Sequence, residues 1–307
     1  RSRARDLAQS LGFWFRQKYN LPPHDDRYLA MTEEDLHVEF WACHFLANPN
    51  DFYIGGGLIE YGEYAEAEWQ VLNQLLLPGK DVIEVGANVG ALSVPIATKL
   101  DTLGRRLMVI EPQPVIFQNL CANLALNGLF NVMAANVAVS DIPGSLYFRV
   151  PDYRCAGSNF GGVSLCTDAP PDNGPLMQQV RAERLDDLVP EDFDVGLVKI
   201  DVEGFELKVL EGAAKTIARH RPLLYVENDR LDQSKSLIEW LMAADYRLYW
   251  NKVFLFNPDN YRGKSENLFV HNGLNVVNVN MLALPIESVF TTHGFEKVSS
   301  SDFHPFA

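Results

Sequence analysis

From position 81 onward, apolar residues come in short unbroken runs that alternate with stretches where they recur every three to four positions. The first kind reads as strands covered on both faces and the second as amphipathic helices. Strands are expected over 81–86, 107–111, 132–139, 195–202 and 223–227, with two closing strands over 247–256 and 274–281. Helices are expected over 92–100, 115–127, 205–220 and 234–244. Ile116, Leu120 and Leu124 share one face of the second helix, which Gly128 stops. Leu237, Trp240 and Leu241 share a face of the last. Ser93 is a candidate helix cap, and Pro95 is tolerated only in a first turn. Such repetition predicts an α/β fold: a Rossmann-like, seven-stranded, mostly parallel sheet with helices on both faces. Ligands of such sheets bind at the carboxyl ends of the strands, where strand order reverses.

The flanks follow another pattern. Residues 1–62 are expected to form an N-terminal helical, aromatic-rich extension. Thr32-Glu33-Glu34-Asp35 resembles a capping box, Leu36, Phe40, Trp41 and Phe45 follow at helical spacing, and Asn48-Pro49 stops the run. Phe13, Trp14 and Phe15 lie in an earlier helix-like stretch and are expected to pack this segment onto the main domain. Gly55-Gly56-Gly57 reads as a flexible turn before a helix over 64–77. The main domain is placed at 63–285. Within it, 143–180 breaks the rhythm with Gly144, Gly157, Gly161, Gly162, Gly174 and Pro170-Pro171, and reads as an inserted loop region, functional or mobile. The polar tail, 286–307, is expected to be loosely held.

Hydrophobic residues make up 47% of the 307 positions, enough for a substantial core. The net charge of −14 repels phosphate backbones and anionic membranes, which argues against nucleic-acid partners. The basic start, with Arg1, Arg3, Arg5, Arg16 and Lys18, is taken as a solvated helix face. Cys43 and Cys121 are expected as small core residues, while Cys155 and Cys166 could approach each other. No zinc spacing, membrane span or signal peptide is visible, and a reducing cytoplasm is the expected location. Nothing in the pattern sets an oligomeric state.

The first strand ends in Glu84-Val85-Gly86-Ala87-Asn88-Val89-Gly90. Gly86 permits a tight turn and close approach to a ligand, Asn88 tolerates a left-handed conformation, and Gly90 opens the next helix. A dinucleotide fingerprint needs further glycines where this chain has Asn88 and Ala91, so the phosphate cradle is broken. S-adenosylmethionine carries no phosphate, and its cationic sulfonium and amino group favour acids such as Glu84. Glu111, ending the second strand, can accept hydrogen bonds from ribose hydroxyls. Asn136, near the end of the third, could meet the adenine edge. Asp201 ends the fourth strand beside the methyl position and is the first candidate general base, with Glu203 and Glu227 close by. Three carboxylates in one cleft would raise one another's pKa. For Glu203 a second reading stays open, as the acid at the next helix's N-terminus. Asp201, Glu227 and Asn228 are also a possible Mg²⁺ set, like that of catechol-type methyltransferases, although metal-free base catalysis is preferred. His271, His44 and His37 are lesser base candidates.

The run Leu197-Val198-Lys199-Ile200-Asp201-Val202-Glu203-Gly204-Phe205-Glu206 resembles the FkbM family of S-adenosylmethionine-dependent methyltransferases. Val209-Leu210-Glu211-Gly212-Ala213, Arg219-His220-Arg221-Pro222 and Val226-Glu227 continue the likeness. The segment 81–90, Ile110-Glu111-Pro112 and Asn159-Phe160-Gly161-Gly162-Val163-Ser164 are similar to the same family, so the resemblance spans about 60–230. It implies an antiparallel last hairpin and methylation of an oxygen, usually a hydroxyl of a glycan or small natural product. The rival readings are an N-methyltransferase, a nicotinamide-dependent oxidoreductase and a non-catalytic cofactor-binding protein on the same fold.

Overall fold

A computed structural model describes residues 37–40, 43–168, 176–290, 292 and 294–306. The chain divides into two compact units, Arg1–Asp35 and Leu36–Ala307, and only the second contains described residues. The expectations for the basic start, for Phe13–Phe15, for the Thr32 capping box and for Pro170-Pro171 fall outside them.

The described chain opens with a hairpin of β1 (His37–Phe40) and β2 (Cys43–Leu46), antiparallel with His37 opposite Leu46. This corrects the helix expected there. Cys43 and Phe45 are buried while Leu46 is exposed, the two-residue alternation of a half-covered strand. The helices α1 (Ile54–Tyr61) and α2 (Glu66–Leu75) follow. The triple glycine is therefore helical and not a flexible turn. A Cβ on Gly55 would sit 2.1 Å from the Asn48 carbonyl oxygen, so the helix needs glycine to pack this closely on the preceding turn. Cys43, Phe45, Ile54 and Leu58 share one apolar core with Trp69, Val82 and Leu100, so the expected boundary at 62 does not separate two cores.

The alternating part contains β3 (Asp81–Val85), α3 (Ser93–Thr102), β4 (Leu107–Ile110), α4 (Pro114–Leu126) and β5 (Val132–Ala135). Pro114 fills the first helical position, where its missing N–H costs nothing. Next come β6 (Ala138–Val139), β7 (Gly144–Arg149), β8 (Met177–Glu183) and the short α5 (Leu185–Leu188). The strand expected over 132–139 is thus two strands. Residues 132–135 stay in the main sheet, and 138–139 turn away to pair with β8, which also pairs antiparallel with β7. The two ends of the expected loop insertion are therefore strands of this small sheet, on which Leu146, Phe148, Val180 and Ala182 are buried, while 150–168 between them is irregular.

The chain continues with β9 (Val195–Ile200), α6 (Glu206–Gly212), α7 (Ala214–His220), β10 (Leu223–Glu227) and α8 (Leu231–Ala243). The single helix expected over 205–220 is broken at Ala213. It closes with β11 (Tyr246–Phe254), β12 (Val270–His271), β13 (Leu274–Asn275), β14 (Val277–Pro285) and β15 (Glu296–Lys297). The main sheet has the order β15-β11-β14-β10-β9-β3-β4-β5. β3, β4, β5, β9 and β10 run parallel, and β14 is antiparallel to β10 and β11. The eighth strand comes from the tail. β15 pairs with β11, and the buried His304 ring contacts the Asn228 carbonyl at 2.7 Å, so this part of the tail is anchored.

Every residue of β3, β9 and β10 is buried, as expected for central parallel strands covered on both faces. Strand order reverses between β3 and β9, which places a crevice beyond Val85 and Ile200.

Candidate functional site

Gly86 leaves β3 at φ 86°, and a Cβ there would lie 1.7 Å from the Asp201 carbonyl oxygen. The backbone after β3 must therefore touch the backbone after β9, and only glycine permits both the contact and the turn. Asn88 sits in the left-handed region at φ 49°, and its Oδ1 accepts from the Val89 amide at 2.7 Å. Around this loop lies a cavity of about 320 Å³. Among the described residues its wall includes the six carboxylates of Glu68, Glu84, Glu111, Asp201, Glu203 and Asp229 and one ammonium, that of Lys199.

Glu111, 3% exposed, accepts hydrogen bonds from the backbone amides of Asn88 (3.0 Å) and Gln113 (2.8 Å). Burial pushes its carboxyl up to about 7, despite those two donors. Glu84, 1% exposed, accepts from Ser93 Oγ at 2.5 Å. Ser93 is thus the first residue of α3 and a partner of Glu84, not a helix cap. Gly90 supports the loop from behind: a Cβ there would lie 2.8 Å from Leu120 Cδ1, and Gly90 does not line the cavity. Asn136 does not line it either. Its amide donates to the Glu111 and Pro112 carbonyls at 2.8 and 3.1 Å, while the adjacent Val137 and Ala138 face the cavity.

Two residues that sequence reasoning left without a role shape the floor. Lys199 is 2% exposed within the apolar run of β9 and lies 3.0 Å from Asp201, 3.7 Å from Glu68 and 3.9 Å from Glu84. Burial alone would lower its pKa, but these three carboxylates hold its ammonium above the ordinary lysine range. Glu68 reaches the same point from α2, and burial, opposed by Lys199, carries it up to about 7. The signal for Lys199 was a charge inside a buried strand, which has to find partners. Glu68 looked like any acid on the polar face of a helix.

Asp201 and Glu203 both line the cavity, Asp201 held by Lys199 and Glu203 by an ion pair with Arg230. Burial, then Asp201 and Asp229, raise Glu203 to about 7 against that arginine. The helix-terminus reading of Glu203 is corrected. Glu206 plays that part, its Oε1 accepting from the amides of Val202 (3.2 Å) and Gly204 (3.0 Å). Glu227 lies behind the wall and is not among the cavity residues. Burial and the neighbouring acids, Asp201 first, raise its pKa well above the usual range. Of the Mg²⁺ set drawn from the sequence, Asp201 is paired with Lys199, and the buried Asn228 donates its side-chain amide to Met281 Sδ at 3.3 Å. His271 stands exposed on a two-residue strand, and His44 lies in β2; neither lines the cavity, and the side chain of His37 is outside the description.

The opposite wall is aromatic and apolar, with Tyr53, Ile54, Tyr64, Leu255 and Val276. The Tyr53 ring stacks on Phe269 with centroids 6.1 Å apart. Gly161 and Gly162 close one side, positioned by Gln113 donating to the Phe160 carbonyl (3.0 Å) and by Ser164 donating to the Glu203 carbonyl (3.1 Å). All four cysteines are free thiols. Among the described residues no helix is long and apolar enough to cross a membrane.

Residues 84–248 match the model of the family described as Methyltransferase FkbM domain. Methyltransferase sdnD of Sordaria araneosa is 28% identical over an alignment covering 43% of this chain and 59% of that protein. The chain therefore spans less than two thirds of this curated relative's length. Among solved structures, methyltransferase FkbM from Methylobacillus flagellatus KT is 17% identical with a TM-score of 0.41, covering 68% of this chain and 45% of that one. M. jannaschii TYW2, solved in complex with AdoMet, is 15% identical with a TM-score of 0.40, covering 83% and 89%.

Proposed function

The chain belongs to the FkbM methyltransferase family, and on that premise we propose that it transfers a methyl group from S-adenosylmethionine to a hydroxyl oxygen of a glycan or small natural product. The observation that carries this reading is the cavity wall of six carboxylates and one lysine at the end of β3 and β9. A cofactor bearing a pyrophosphate would be repelled there, whereas a sulfonium and an ammonium are attracted. The donor set thus fits S-adenosylmethionine, which supplies an electrophilic methyl group when bound.

Each residue has a proposed part. Gly86, Asn88 and Glu111 hold the nucleoside, with Glu111 free to accept from ribose hydroxyls on the lone pairs its two backbone donors leave. Ile110, Pro112, Val137 and Ala138 offer the apolar surface an adenine ring needs. Glu84 and Glu68 face the cationic end. Asp201, oriented by Lys199, is the proposed base that takes the acceptor's proton, with Glu203 as the second candidate. Positioning contributes most, since the acceptor oxygen has to stand about 3 Å from the transferred carbon. Tyr53, Ile54, Tyr64, Leu255 and Val276 give the acceptor side an aromatic and apolar face of the kind that suits sugar rings and planar natural products.

Calorimetric titration with S-adenosylhomocysteine and, separately, with NAD⁺ tests the cofactor. Saturable binding of the first and none of the second is expected; the reverse, or binding of neither, refutes the reading. Transfer of labelled methyl to panels of sugars and phenolic metabolites then identifies the acceptor.

A further inference from the structure

Past the cofactor loop, the ends of β9 and β10 bring together Glu203, Glu227 and Asp229, whose ligand oxygens all lie within 4.8 Å of one another. One hard cation with oxygen ligands at about 2.1–2.5 Å spans ligand pairs up to about 5 Å apart. The spacing alone would be unremarkable for acids in a cleft. A second observation separates this cluster from that case. Glu227 is 6% exposed, and its Oε2 has no hydrogen-bond partner among the described residues. Buried carboxylate oxygens are not normally left without a donor or a cation. Among the described residues the positive charge paired with the cluster is Arg230, which pairs with Glu203 and stands 3.4 Å from Asp229. Among the described residues one guanidinium faces three carboxylates, and a divalent cation would let all three ionise together.

We infer that Glu203, Glu227 and Asp229 form a binding site for one hard divalent cation on the wall of the transfer cavity. The donors are all carboxylate oxygens, which select Mg²⁺, Mn²⁺ or Ca²⁺ over softer metals. Glu203 and Asp229 border the cavity and Glu227 backs them. An ion held there is placed to meet an acceptor oxygen and ease its deprotonation. The set shares Glu227 with the one expected from the sequence and has Glu203 and Asp229 in place of Asp201 and Asn228. Cation binding stands on its own geometry, and only its part in acceptor activation rests on the proposed methyl transfer.

The test is titration of the purified chain with Mn²⁺ alone, free ion being read by electron paramagnetic resonance, with Mg²⁺ and Ca²⁺ as competitors. One saturable site is expected. Glu227→Gln and Asp229→Asn should each weaken it at least tenfold. Arg230→Gln should strengthen it, because it removes the competing cation, an effect a merely structural ion pair would not produce. Thermal melts confirm that each variant is folded. Absence of saturable Mn²⁺ binding in both the parent chain and Arg230→Gln overturns the inference, as does binding undiminished in folded Glu227→Gln. S-adenosylhomocysteine titrated in parallel keeps the two proposals apart. Cofactor binding without metal refutes the cation site alone, and metal binding without cofactor refutes the methyltransferase reading alone.

Discussion

Replacing Lys199 by Met removes the one cation from the cavity floor while nearly keeping the length and shape of its side chain. Glu68 and Glu84, 2% and 1% exposed, would then share the site with Asp201 and no compensating charge. Removing one partner of a buried ion pair costs about 3–5 kcal/mol. A chain of this size loses roughly 2–4 °C of Tm per kcal/mol, so a fall of about 6–20 °C is expected at neutral pH. The sign of the pH dependence follows from Glu68. Its carboxyl titrates at about 7 in the folded chain against an ordinary 4.5, so the folded state binds the extra proton. Stability from this group is therefore lost as pH rises from about 4.5 through about 7. Without Lys199 the carboxylates move further up, and the deficit should be greatest above pH 7 and narrow towards pH 5. Thermal melts of parent, Lys199→Met, Glu68→Gln and the double variant at pH 5.5 and pH 8 measure it. The double variant should recover part of the loss, because the pair is coupled. A deficit that is small, or equal at both pH values, or not relieved by Glu68→Gln, would show that these charges do not set the energy of the floor.

Gly86→Ala should destabilise the fold by about 2–4 kcal/mol and abolish S-adenosylhomocysteine binding, because its methyl group would lie 1.7 Å from the Asp201 carbonyl at a φ of 86°; denaturant melts and calorimetry check it. Glu111→Gln gives up one of the oxygens that accept from Asn88 and Gln113, and should weaken S-adenosylhomocysteine about tenfold, or 1.4 kcal/mol, by calorimetry. Asp201→Asn should lower methyl-transfer turnover by about 10²–10⁴ with cofactor affinity kept; little loss would remove Asp201 from the role of base.

The central strands were readable because burial on both faces writes an unbroken apolar run, and Leu223–Glu227 was placed to the residue. The hairpin at 37–46 was not, because its strands are four residues long, too short to fix a period: Phe40, Trp41 and Phe45 satisfy helical spacing, while Cys43 and Phe45 satisfy the strand alternation that the fold adopts. Tertiary contact also explains the triple glycine, whose helix lies so close to the Asn48 carbonyl that Gly55 has no room for a Cβ. Among the site residues, the acids at strand ends were legible individually, since position at a carboxyl end is a property of the local chain. Their partners were not. Glu227 and Asn228 are adjacent in sequence and at the same strand end, yet the first points to Glu203 and Asp229 while the second turns into the core beside Met281. A one-residue step along a strand reverses the face, so adjacency at a strand end predicts opposite destinations and not a shared site. Lys199 obeys the same rule in reverse. It and Asp201 are two apart, fall on one face, and meet at 3.0 Å. A lysine two residues before the acid at the end of a buried strand is thus a readable sign that the acid will be held by an ammonium, and this spacing, more than the acid alone, marks where the floor of the cavity lies.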